Sequence, residues 1–201
     1  MPLINYGDAK MVGHVLIKDK DTGEVLVDKM NSIHFENMSE AIALALTNRA
    51  TGHIHEMVFG NGASTVSGTG AITYFPTNST GADAQLYHQT YRKIVDDQSP
   101  LMSETDRLSG GNKLVVQHAV NAVYSDIIVT CTLDYNEPSG QSAFDDITDT
   151  ESAYVFDELG LKAFDSMPGS GKLLSHVVFH PIQKSLNRVI EIIYTIRIYM
   201  T

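Results

Sequence analysis

The run RVIEIIYTIRIYM, from Arg188 to Met200, constrains the fold more than any other stretch of the chain. Ile190, Ile192, Tyr194, Ile196 and Ile198 fall on one side, and Glu191, Thr195 and Arg197 on the other. Side chains alternate across a strand with period two, so this segment separates its apolar and polar sets as a long strand with one dry face. One wetter face is the mark of antiparallel sheet. Such a strand needs neighbours to pair with and an apolar layer to lie against.

The neighbours are present. Ser125–Tyr135 repeats the pattern, with Ile127, Val129, Cys131, Leu133 and Tyr135 alternating against Ile128, Thr130, Thr132 and Asp134. Further strands are expected at His53–Phe59, Thr90–Val95, Leu114–Ala119, Leu159–Phe164 and Leu173–Phe179, with Thr90–Val95 at the periphery. His14–Lys18 and Glu24–Val27 flank Asp19-Lys-Asp-Thr-Gly23, which reads as a hairpin spanning about residues 12–30. One amphipathic helix is predicted over about residues 38–49. Asn37 is its N-cap, Glu40 lies three positions on, Met38, Ile42, Ala45 and Leu46 share a face, and Gly52 ends it. The fold expected is a mainly β, antiparallel β-sandwich of one domain, carrying this helix and long loops. The longest linkers are Gly60–Asp83, Asp96–Asn112 and the acidic Glu137–Ser152. Loops of such length in a compact domain usually serve a site or a partner.

The formal net charge of -10 argues against direct nucleic-acid binding, which requires clustered Lys and Arg. With one cysteine, Cys131, neither an internal disulfide nor a multi-cysteine zinc site can form, and its place on an apolar strand face makes it core. The opening MPLINYGDAK has no signal-peptide pattern, and no apolar run reaches the length of a membrane span. No membrane partner is therefore expected.

Five constellations invite chemistry. Pro168-Gly-Ser-Gly-Lys172 imitates a phosphate-binding loop, but Ser166 stands where the first glycine belongs and Leu173 where the magnesium hydroxyl belongs. The strand that follows, where a helix is required, makes this a turn. His53, His55 and Glu56 lie close together, His176 with His180 and His14 with His34 being weaker pairs. None has further ligands at recognisable intervals, so no metal is expected. His53 and His55 are the positions a metal would take first, together with equivalents from a neighbouring subunit. Asp145, Asp146, Asp149, Asp157 and Glu158 could supply paired carboxylates for glycoside hydrolysis, but sugar-stacking tryptophan is absent and nothing marks a pocket between them. No nucleophile elbow or Cys–His arrangement is found. No catalytic residue and no cofactor is expected.

Two segments bear a likeness when taken together. Met57-Val-Phe-Gly-Asn-Gly62 is similar to the "avGdG" segments of phage virion proteins. Phe156-Asp-Glu-Leu-Gly-Leu161, a turn, and Lys172-Leu-Leu-Ser-His-Val-Val-Phe-His-Pro-Ile-Gln-Lys184 follow in the order of the "EIGL … G-x-L … P-x-x-K" pattern. The chain thus resembles the N-terminal attachment domains of tail-collar fibre and related tail adaptor proteins of tailed bacteriophages, from about Asn31 to Arg197. It departs in its N-terminal hairpin and in having no fibrous extension after Thr201, which suggests an adaptor. The resemblance implies a non-enzymatic virion component, in tail, baseplate or collar, that is assembled in the host cytoplasm as a homo-oligomer with other virion proteins. A capsid decoration protein and a carbohydrate- or receptor-binding module are the alternatives. Gly60, Gly62, Gly160, Pro181 and Lys184 carry the motif, with fold-specifying roles. The two former glycines permit a sharp turn, Gly160 permits close backbone approach, and Pro181 interrupts the ladder so the chain bends before Lys184.

Overall fold

The computed structural model describes residues 8–143 and 153–200. In chain order the elements are β1 (Ala9–Asp19), β2 (Val25–Ile33), α1 (Phe35–Leu46), β3 (Ile54–Gly60), β4 (Ser64–Val66), β5 (Ile72–Tyr74), β6 (Gln89–Ile94), α2 (Glu104–Ser109), β7 (Lys113–His118), β8 (Tyr124–Leu133), β9 (Ala153–Ala163), β10 (Leu173–Ser185) and β11 (Ile190–Met200). The fold is mainly β, as expected, and its pairings are antiparallel. Nine strands form one curled sheet in the order β6-β3-β9-β10-β2-β1-β11-β8-β7, and β4 pairs with β5 separately.

The two layers come from a single sheet bent at β2. One half of that strand pairs along β1, whereas its end meets β10 at Ser175↔Ile33 and His176↔Ser32. The halves then face each other. Val15, Ile17, Val129, Cys131, Ile192, Tyr194 and Ile196 from one half pack in one core with Phe59, Phe156, Leu159, Leu161 and Val177 from the other. The dry face of β11 is thus the one its sequence marks, with Ile190, Ile192, Tyr194 and Ile196 fully buried.

The β3–β9–β10 half is covered on both faces, so every residue of β3 is buried. Its outer face carries a second small cluster of Val58, Leu86 and Leu173, covered by the segment leading to β6. The β4–β5 hairpin lies in this same Gly60–Asp83 linker, which the sequence presents as a plain loop.

Helix α1 starts earlier than predicted. His34 caps it, its Nδ1 accepting from Asn37 N at 3.2 Å, and Asn37 is inside the first turn. Asn37 is buried against β10 and donates from Nδ2 to Leu173 O at 2.9 Å, so a tertiary contact claims the residue that propensity makes a cap. The helix also ends before Gly52. Asn48 takes positive φ and Arg49 N–H returns to Leu44 O at 2.8 Å, a left-handed C-terminal stop. A side chain at Gly52 would collide with the backbone of Ala41, so this glycine permits packing back onto the helix.

A second helix, α2, stands in the polar Asp96–Asn112 linker. Ser103 accepts from Asp106 N at 3.1 Å at its start, and Gly110 closes it with positive φ. Ser103 and Gly110 are residue types that favour these two cap positions.

Candidate functional site

Three places in the fold combine polarity with burial or exposure in ways that could serve function: a buried carboxylate–imidazole network, a lysine-lined cavity, and the two edges of the sheet.

The network forms where β9 and β10 run side by side. The carboxylate of Glu158 is fully buried, and each of its oxygens accepts twice. Oε1 takes His88 N at 2.9 Å and Gly62 N at 3.3 Å. Oε2 takes Tyr87 N at 3.0 Å and His176 Nε2 at 3.0 Å. The other ring nitrogen of His176 accepts Asn78 N at 2.8 Å, which fixes the neutral tautomer with its proton on Nε2. Burial raises the Glu158 pKa, but the bonds from His176, His88 N and Tyr87 N outweigh it and hold the carboxyl below its ordinary value. Asp157, on the opposite strand face, accepts Ala63 N at 3.1 Å and the Ser64 hydroxyl at 2.5 Å. Here burial prevails, and its pKa is raised.

These two carboxylates belong to the set considered above for glycoside hydrolysis. Both accept hydrogen bonds from the 61–88 segment, Glu158 also from His176, and they point to different faces. Asp145, Asp146 and Asp149 lie outside the described residues. The network's chemical effect is to pin the long linker to the sheet. The Gly60–Asp83 linker, which the sequence presents as a loop, is thereby hydrogen-bonded to β9 through Gly62, Ala63 and Ser64.

The lysine cavity, of about 380 Å3, opens beside α2 and the end of β8. Lys93 reaches it buried, donating to Glu137 Oε2 at 2.7 Å, Asp106 Oδ1 at 2.7 Å and Thr132 O at 3.0 Å. Burial works against its charge, yet the two carboxylates hold it above the ordinary lysine value. Such an ammonium is a fixed cation, unsuited to act as base or nucleophile. Cys131, buried in the core with its pKa pushed up to about 12, is inert, as its strand position implies.

The fold-specifying residues take definite places. Gly60 and Gly62 do not use positive φ. A side chain on Gly60 would meet the Glu158 carboxylate and sit 2.5 Å from His88 O, and one on Gly62 would come within 2.8 Å of His88 N. Close approach of the linker, rather than a left-handed turn, is what these glycines allow. A side chain on Gly160 would stand 2.6 Å from Leu173 Cδ1 and 3.0 Å from Ser175 O. Pro181 sits within the register shift between Val178 and Ile182, the interruption its missing N–H demands. Lys184 is fully buried and donates to Asp134 O, Glu137 O and Ser185 O at 2.9, 2.7 and 3.0 Å. Burial brings its pKa down to about 8.

The Pro168–Gly171 turn joins β9 to β10. Gly169 N already donates to Glu56 Oε2 at 2.9 Å, so that amide is not free for phosphate. The histidine pairs separate. His14 binds Asp28, His34 caps α1, His176 serves Glu158, and His180 meets the Tyr74 hydroxyl. His53 and His55 stay together, but Glu56 turns to the other face and pairs with Arg92 at 2.8 Å. Asp96 takes its place beside them.

The sheet edges differ. On β6, Gln141 bridges Arg92 with bonds to its N–H and C=O, both 3.1 Å, and Ser142 N donates to Thr90 O at 3.1 Å. That edge is closed. On β7, among the described residues, backbone pairing is made with β8 alone. Val116 is 71% exposed there, and Val120 and Val123 in the adjoining turn are 87% and 63% exposed.

No family model, curated protein or solved structure matches this chain. Among the described residues no helix is long and apolar enough to cross a membrane.

Proposed function

We propose that the protein is a non-enzymatic structural component of a tailed-phage particle, an adaptor of tail, baseplate or collar that works through contacts with copies of itself and other virion proteins. The observation that carries the assembly part of this reading is the contrast between the edges. One is sealed by Gln141 and Ser142, while among the described residues β7 pairs with β8 alone and leaves its outer row of backbone donors and acceptors next to exposed valines. An open edge with apolar flanks is a template for strand addition. The described buried ions support it too, since Glu158, Lys93 and Lys184 are committed to fixed partners. The phage assignment rests on the motif residues Gly60, Gly62, Gly160, Pro181 and Lys184.

Light scattering coupled to size-exclusion chromatography tests the assembly, and mass spectrometry of purified particles from the source tests the location. Oligomers that Val116→Lys dissociates, and peptides of the chain in the particles, are expected. A stable monomer at high concentration, together with absence from particles, overturns the proposal.

A further inference from the structure

We propose that His53, His55 and Asp96 bind one divalent transition-metal ion, of which zinc suits the ligand set best. The two imidazoles share one face at the start of β3, two residues apart. Asp96 arrives from the end of β6, where Val95 N and Asp96 N both donate to His55 O, at 2.9 and 3.3 Å. Its Oδ1 is held by Gln98 N at 3.1 Å, which leaves Oδ2 toward the rings.

Oδ2 lies 3.4 Å from His53 Nε2 and 3.5 Å from His55 Nδ1. These separations exceed the usual 2.7–3.2 Å of an N–H···O bond. They match the edge of a tetrahedron around zinc, about 3.3–3.4 Å for ligand bonds of about 2.0–2.1 Å. The donor atoms of all three residues lie within 4.8 Å of one another. His55 supplies an independent sign. It is 3% exposed, and its Nδ1 has no hydrogen-bond partner. A buried polar atom left so is costly, and a metal would satisfy it.

The surroundings suit an ion. Phe164 stacks on the His53 ring at 5.3 Å and meets His55 edge-on at 4.9 Å, walling one side with hydrocarbon. The His53 side chain is 44% exposed, so the fourth position opens to water. Imidazole and carboxylate donors favour zinc among available divalent ions over magnesium or calcium, which prefer all-oxygen shells. The bound ion would fasten the beginning of β3 to the end of β6. It would raise the melting temperature by mass action, because the unfolded chain does not hold the three donors together.

Calorimetric titration of the untagged full chain with zinc chloride tests the site, alongside the absorption spectrum after cobalt(II) addition. One equivalent of zinc should bind, with a higher melting temperature and the visible bands of four-coordinate cobalt. His53→Ala and Asp96→Asn should each weaken binding by more than the roughly 10–100-fold that loss of an outer-sphere partner costs. His180→Ala should leave it unchanged. His53 is exposed, so His53→Ala carries the test even if a His55 variant fails to fold. Absence of zinc binding by the wild-type chain, or binding that survives His53→Ala and Asp96→Asn undiminished, overturns the assignment.

Discussion

Neutralising two adjacent carboxylates, Asp157 and Glu158, should give losses of very different size, although each substitution changes one oxygen to an NH2 group. In Glu158→Gln the retained oxygen keeps two of its donors, but the new NH2 faces the other two, which are N–H groups as well. If Oε1 is retained, Tyr87 N and His176 Nε2 lose their acceptor. If Oε2 is retained, His88 N and Gly62 N do. Two buried donors without acceptors cost about 1–3 kcal/mol each. Relief from burying a charge offsets part of that, so a net loss of about 3 kcal/mol is expected. For a chain of this size that lowers the melting temperature by roughly 6–12 °C. In Asp157→Asn the amide oxygen can keep Ala63 N and the NH2 can donate to the Ser64 hydroxyl, which reverses its role. The loss there should stay below about 1 kcal/mol. Urea denaturation of both variants measures the difference, and hydrogen exchange at the amides of Gly62, Tyr87 and His88 locates it. The sign with pH follows from the lowered Glu158 pKa. Its contribution is complete above the ordinary carboxyl value of 4.5 and is lost as pH falls through the lower folded value, so wild type and Glu158→Gln should converge in acid. Equal stability of the two variants at neutral pH, or unchanged exchange at Tyr87 and His88 in Glu158→Gln, would refute the reasoning.

Other outcomes follow from the same geometry. Gly60→Ala forces a methyl group toward Glu158 and His88 O and should cost about 1–3 kcal/mol, whereas Gly68→Ala, with open space around it, should be nearly neutral in the same urea titration. Lys162 donates to Gln89 Oε1 and Gly169 O, and burial lowers its pKa to about 8. Because the unfolded chain keeps its proton up to the ordinary value of 10.5, wild type should gain stability relative to Lys162→Met as pH rises from about 8 toward 10.5. A flat difference across that window in pH-dependent denaturation would remove the argument. The amide of Thr22 and, after it, Arg188 hold Asp19 at about 2, so Asp19→Asn should lose stability at neutral pH and approach wild type as pH falls from about 4 toward 2, followed by circular dichroism.

The strands were legible because burial on one face writes itself as alternation. The alternation in β11 and β8 names their partners in the core, and Pro181 marks its own bulge. What escaped was whatever depends on contacts distant in sequence. Asn37 has the chemistry of a cap, yet Leu173, far along the chain, takes its side chain and leaves the cap to His34. Glu56 neighbours two histidines in sequence but faces away from them by the same period-two rule that defines the strand. Asp96 joins those histidines only through the β3–β6 pairing, which local pattern does not encode. The Gly60–Asp83 linker reads as a loop because it is poor in charge and rich in small residues. It is held by Asp157, Glu158 and His176, about a hundred positions further along.

A loop that orders only on contact spends association energy on its own ordering. Here the buried ions act as clamps. Glu158 holds the 61–88 segment, Lys184 holds the turn at Asp134–Glu137, and Lys93 ties α2 to Glu137. Each burial is expensive, and each is satisfied by groups whose positions it fixes. Surfaces presented by such segments meet a partner with little conformational freedom left to lose. A particle component that must find the same neighbours repeatedly gains from that arrangement, whereas a catalytic group needs capacity left over for a substrate. Loosening one clamp without touching the β7 edge, as Glu158→Gln does, separates these contributions. Weaker assembly with intact strand pairing would assign the binding energy to preformed loops, and unchanged assembly would assign it to the edge alone.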